Sequence, residues 1–214
     1  MKLFKRILLL LVISLLTSVS AAAQADTEAQ PEAAAEETAS TEDLTLEQTL
    51  ALPEVPQKQN SYIQKYMRRE AIALHKLGYK VETMRKGEIV IVTVPTDRLF
   101  GPNETTLLAS ATKDLRNFLP YFRTPGKFKV VLAIHTDDTG SDTYLNDLAS
   151  KRIVALYDYF DTNATDTNLL SGYPMAANDP LNEDHTRAAR ASNRRLEIYI
   201  LPAEGLIDEA RQAR

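Results

Sequence analysis

Three short stretches hold the side chains that could do chemistry. His135-Thr136-Asp137-Asp138 follows an apolar run, Arg152 comes fifteen residues after Asp137, and Arg190, Asn193, Arg194 and Arg195 form a compact basic stretch near the C-terminus. A histidine beside two aspartates could hold a metal or run acid–base chemistry. The other histidines, His75 and His185, lie in different segments with no H-x-x-x-H spacing, and there is no cysteine, so the sequence assembles no metal-ligand set. Adjacent loop aspartates are more often solvated or capping, and no second catalytic element is visible. The residues therefore supply no visible catalytic set, and no cofactor and no metal is expected. His135 reads as a hydrogen-bonded structural histidine. In purely structural terms Asp137 could cap the helix that follows it, and Arg152 could pair with an acid such as Asp147 or Asp158.

The hydrophobic pattern says what must position these residues. Tyr62, Ile63, Tyr66, Leu74 and Leu77 recur at helical spacing, and Gly78 is a stop signal. Residues 79–84 alternate like a strand, Arg85-Lys86-Gly87 reads as a turn, and 88–94 is a β-branched strand, which together make a hairpin. Gly101-Pro102 breaks the chain and Asn103 can cap a helix whose apolar face is Leu108, Leu115, Phe118, Leu119 and Phe122. Residues 127–134 form a second strong strand, with Val130 to Ile134 apolar on both faces, which suits a central strand covered on both sides or one covered by helices on one side only with small residues opposite. A polar loop, 136–142, leads to a helix carrying Leu148, Ile153, Leu156 and Phe160. A short strand candidate at 169–172, a short helix near 186–192 and a last strand at 195–201 complete the order. The expected fold is α+β: a βαβαβ-type sandwich with a mixed sheet and helices packed on one face.

At this point a resemblance becomes specific. His135-Thr136-Asp137, Gly140, Tyr144, Asn146, Leu148-Ala149 and Arg152, followed by Arg190-Ala191-Ser192-Asn193-Arg194-Arg195 before the closing strand, resemble the pattern of OmpA-like (OmpA/MotB-type) peptidoglycan-binding domains. Upstream, Pro95-Thr96-Asp97-Arg98-Leu99-Phe100 resembles the Leu-Phe strand end of that family. The match covers residues 85–202. It implies noncovalent binding of the peptidoglycan stem peptide, whose diaminopimelate ends in both an ammonium and a carboxylate. Arg152 would hold the carboxylate in a bidentate fork and Asp137 would accept from the ammonium. The resemblance also puts Thr139, Asn146 and Leu148 at the rim, and one of Arg190 and Arg194 facing the cleft. The chain departs from the pattern at Ile134, Ala149 and Ala189, where a glycine, a serine and a glycine are usual, and its 172–189 segment is two residues longer.

Charge and composition set the surroundings. Lys2, Lys5 and Arg6 precede an apolar run over 7–16 and then small residues ending in Ala23-Gln24-Ala25. This is the pattern of a secretory signal peptide over 1–25. Residues 26–60 carry nine acids and one base with no aromatic residue, a composition that reads as an acidic disordered linker, although Leu44, Leu46, Leu50 and Leu52 could dock on something. Residues 61–202 are the expected domain and 203–214 a loose tail. Residues 61–214 hold 21 basic and 20 acidic side chains, and a near-neutral domain argues against a nucleic-acid partner. The expected setting is the periplasm, in association with the cell wall or outer membrane. The expected partner is peptidoglycan, with other envelope proteins as further partners. A protein–protein scaffold that keeps this fold but binds little cell wall is the alternative.

Overall fold

The computed structural model describes residues 44–213; the expected signal peptide and the 26–43 part of the acidic segment lie outside the described residues. In chain order the elements are α1 (Leu46–Ala51), α2 (Asn60–Lys76), β1 (Lys80–Met84), β2 (Ile89–Pro95), α3 (Thr112–Leu115), β3 (Phe128–His135), α4 (Asp142–Asn163), β4 (Leu170–Ala176), α5 (Arg187–Asn193), β5 (Arg195–Pro202) and α6 (Glu204–Gln212). Among the described residues no helix is long and apolar enough to cross a membrane.

The five strands form one mixed sheet in the order β1-β2-β5-β3-β4. β1 and β2 are the expected hairpin, with Met84 opposite Ile89. Arg85, Lys86 and Gly87 make the turn in the left-handed region, at φ of 51°, 57° and 92°. β5 runs antiparallel to both β2 and β3, and β3 is parallel to β4 through the α4 crossover.

Strand alternation divides the core between the two faces of the sheet. Val90, Val92, Val94, Val130, Leu132, Ile134, Leu196, Ile198 and Ile200 meet α2, α4 and α6 on one face. α2 contributes Ile63, Met67 and Leu74, and α4 contributes Leu145, Ala149, Ile153, Leu156 and Phe160. β3 is thus an interior strand, between β5 and β4, and its continuous apolar run is buried on both faces.

Three local expectations are corrected. The segment 103–122 is not one helix: a 3-10 turn (Ala109–Ala111), the single-turn α3 and a second 3-10 stretch (Arg116–Phe122) replace it. Pro120 lies inside that stretch and has no N–H for a helical ladder, while Asn103 caps nothing and sits at φ 58°. The tail is not loose either. α6 docks through Leu206 and Ile207, which are fully buried, and Glu209 accepts from Tyr62 and pairs with Lys127, both at 2.7 Å.

The third correction concerns the linker, which does not extend to residue 60. Within it, Thr45 and Gln48 form a capping box that starts α1. Leu46 and Leu50, one turn apart, lie against the second face of the sheet with Ile89, Val131, Ala133, Tyr199 and Leu201. Arg85 closes the other end: its guanidinium donates to the carbonyls of Leu50 at 3.0 Å, Ala51 at 3.2 Å and Pro53 at 3.1 Å, satisfying acceptors that a helix C-terminus leaves orphaned. The main helices therefore pack on one face, as expected, and α1 adds a small cover to the other.

Candidate functional site

The site forms at the edge of the sheet where β2 and β3 end and β5 begins. The β3–β4 register shifts between Ile134 and His135, and Thr136 keeps a backbone bond to Ala176 at 2.8 Å. The chain then turns away from the sheet and presents Asp137. One oxygen of Asp137 accepts from the backbone N–H of Thr139 at 2.9 Å, and the other accepts from Arg194 at 2.8 Å. The first bond folds the loop over its own aspartate. α4 is capped by Ser141, whose hydroxyl accepts from the N–H of Tyr144 at 3.3 Å. Asp137 is therefore not the cap, which leaves its carboxylate facing the site.

Arg152 stands one helix away and is 5% exposed. It pairs with neither Asp147 nor Asp158. Its Nε donates to the carbonyl of Glu104 at 2.9 Å and a terminal nitrogen to the carbonyl of Gly101 at 3.3 Å. The guanidinium carbon lies 4.9 Å from the centre of the Phe100 ring. Asp147 instead pairs with Lys151 at 2.8 Å. Burial lowers the Arg152 pKa, and the negative charges of Asp97 and Asp137 nearby act against that. A guanidinium carries five N–H donors, and two are used here. Among the described residues none of the others meets a carboxylate at bonding distance.

Arg194, not Arg190, bonds Asp137. It ends α5 at a non-helical ψ of 86°, and its fork closes on Asp97, with Nε at 2.9 Å and a terminal nitrogen at 2.7 Å. The last nitrogen reaches Asp137. Hydrogen bonding from Arg194 holds the Asp97 carboxyl below its ordinary pKa, and Asp97 in turn raises that of Arg194. Arg190 points to the far side of the loop, where it meets Asp138 at 2.6 Å beside His185.

The remaining expected rim residues are less engaged. Thr139 contributes its backbone N–H, and Asn146 spends its amide on the Asp142 carbonyl of its own helix at 2.8 Å. Leu148 is buried, as are Ala149 and Ala189. Ile134, one of the departures from the family pattern, fills the helix-facing core beneath the loop. Asn193 fixes the preceding loop by exchanging bonds with the backbone of Asn182 at 3.0 and 2.8 Å.

His135 is scaffold, but not hydrogen-bonded as expected. It is 1% exposed, neither ring nitrogen has a hydrogen-bond partner, and the nearest carboxylate oxygen, on Glu197, is 3.7 Å away. It belongs to a charged group on the α1 side of the sheet, where Arg195 donates to Glu197 at 2.7 Å and Tyr199 donates to the same carboxylate. No group of three metal-ligating side chains occurs among the described residues.

Asp97 and the carbonyl cradle of Gly101 and Glu104 were not singled out by the sequence. The signal available was position: Asp97 lies in the stretch that resembles the family's strand end. The four charged groups Asp97, Asp137, Arg152 and Arg194 act on one another electrostatically and carry two charges of each sign.

No family model matches the chain. It is 23% identical over 125 residues to the Probable lipoprotein YiaD of Escherichia coli (strain K12), a match covering 58% of this chain and 57% of that protein; the chain thus spans little more than half of this relative. Among solved structures, a MotB-like protein from Desulfovibrio vulgaris aligns with a TM-score of 0.58 at 20% identity, covering 67% of this chain and 98% of that one. The cell wall anchor of the T6SS from Pseudomonas aeruginosa aligns with a TM-score of 0.52 at 19% identity, covering 65% and 96%. With its five-stranded mixed sheet and its α4 crossover, the chain has the fold of the OmpA/MotB-type domains.

Proposed function

We propose that this chain is a cell-envelope protein that binds peptidoglycan noncovalently, by gripping the zwitterionic end of the diaminopimelate stem peptide between Asp137 and Arg152. The observation that carries this is the state of Arg152. Its charge is buried but not neutralised by a bonded carboxylate, and two backbone carbonyls fix its plane while other donors remain to be used. A guanidinium held this way suits a ligand carboxylate that approaches in its plane. Asp137 keeps acceptor capacity beyond its two bonds, because an ionised carboxylate offers about four lone-pair sites. The likeness to a cell wall anchor agrees with this reading.

Cosedimentation with purified sacculi tests it. The full chain is expected in the pellet, and Asp137→Ala and Arg152→Ala in the supernatant. A full chain that stays in the supernatant overturns the function. Equal binding by the two variants overturns the site. Release of soluble muropeptides from the sacculi would show that the chain is an enzyme after all.

A further inference from the structure

We infer that Asp97 is a positioning and specificity residue of this cleft: by occupying the fork of Arg194, it leaves Asp137 open to a ligand's ammonium group. The inference rests on the peptidoglycan reading above and deepens it.

The contacts are unequal in a telling way. Arg194 gives two nitrogens, Nε and one terminal nitrogen, to the two oxygens of Asp97, but only one nitrogen to Asp137. A bidentate fork is the arginine–carboxylate geometry of highest directional demand. As long as Asp97 fills it, Arg194 cannot turn the same fork onto Asp137.

The backbone fixes this arrangement. Asp97 sits in the 3-10 turn Thr96–Arg98. The N–H of Thr96 donates to the Arg194 carbonyl at 3.1 Å, and the Thr96 carbonyl accepts from Leu99 and Phe100, both at 2.9 Å. The same loop continues into Phe100, Gly101 and Glu104, which hold Arg152. One segment therefore sets both guanidinium groups, one through a carboxylate and one through carbonyls.

Charge leads to the same result. Two arginines and two aspartates leave the cleft neutral, matched to a zwitterion. Without Asp97 the cleft is net positive, and the arginine it released has Asp137 as its nearest acid. Both changes weaken the hold on an ammonium group and leave a carboxylate held by Arg152. The Asp97 side chain is 58% exposed, so replacing it opens no cavity in the core and little stability should be lost.

The test uses the full chain and three synthetic tripeptides of the form L-Ala-γ-D-Glu-X, measured by titration calorimetry. X is meso-diaminopimelate, L-2-aminopimelate (far carboxylate but no far amine) or L-lysine (far amine but no far carboxylate). The unchanged protein should prefer diaminopimelate. Asp97→Asn should lose about tenfold in affinity for diaminopimelate, the equivalent of one charge-assisted bond, with affinity for the aminopimelate peptide retained. Asp97→Glu should restore the preference. An equal fall for both peptides makes Asp97 merely structural and overturns the inference, as does no change for either. No binding of any peptide by the unchanged protein overturns the peptidoglycan-end reading and this inference with it.

Discussion

Replacing Arg152 with lysine separates the two tasks assigned to that guanidinium. Lysine keeps the positive charge but offers one ammonium in place of a planar fork. The arginine now bonds two carbonyls, of Glu104 and Gly101, from two nitrogens held apart on one rigid plane. A lysine ammonium has no such plane and cannot reproduce the spacing of those two donors. A hydrogen bond from a charged donor contributes about 1.5–3 kcal/mol, and part of the stacking on Phe100, worth up to about 2 kcal/mol, also goes. Retention of the charge and of one bond returns some of this, so Arg152→Lys should cost about 2–3 kcal/mol of stability. For a fold of this size that is about 4–12 °C in melting temperature. Binding should suffer separately, because the ammonium cannot grip two carbonyls and present a fork to a carboxylate. A fall of about tenfold or more in sacculus affinity is expected, following 1.4 kcal/mol per decade. Urea unfolding at pH 7 and cosedimentation below the variant's melting temperature measure the two effects. Stability within about 0.5 kcal/mol of the parent refutes the carbonyl grip. Unchanged binding by a folded variant refutes the fork.

Two further outcomes follow from other parts of the fold. Leu50→Ala removes the buried anchor of α1, and because that helix is short and peripheral the loss should sit at the low end of core truncations, about 2 kcal/mol; limited proteolysis should then cut within 44–59 while 60–213 stays intact, and unchanged resistance there would count against the docking of α1. For Glu197, burial alone would raise the pKa, but His135, Arg195 and Tyr199 outweigh it and bring it from 4.5 to about 2. A carboxyl lowered in the folded state adds stability that is present above its unfolded pKa and lost as pH falls through the folded one. The loss should therefore run from about pH 4.5 to about pH 2, with an upper limit of about 3 kcal/mol, and Glu197→Gln should flatten the denaturation curve in that window; a variant as acid-sensitive as the parent would refute the assignment.

The sequence made the sheet more legible than the helices, for physical reasons. β2, β3 and β5 are rich in β-branched and aliphatic residues whose alternation or continuity reflects burial, and the left-handed turn at Arg85-Lys86-Gly87 ends in glycine. The 109–122 segment carries a helical apolar pattern and buries Phe118 and Phe122, but Pro120 interrupts the α-helical ladder. α1 is six residues long, and its two anchoring leucines were diluted by the acidic composition around them. At the site, motif order pointed to Asp137 and Arg152. The choice between Arg190 and Arg194 was not legible, because it depends on where the short α5 stops and on the non-helical ψ of Arg194. The cradle of Arg152 was hidden more deeply: its acceptors are backbone carbonyls, which every residue possesses and no residue type announces.

The docking of α1 also decides how the chain would respond to tension. A pull applied ahead of Leu44 reaches Leu50 and the Arg85 clasp before it reaches any strand of the sheet. If those contacts yield first, residues 44–59 unroll while α2 and the sheet stay assembled. Sixteen residues of extended chain give about 50 Å of slack. In that order of failure α1 would give way as slack before the sheet is loaded.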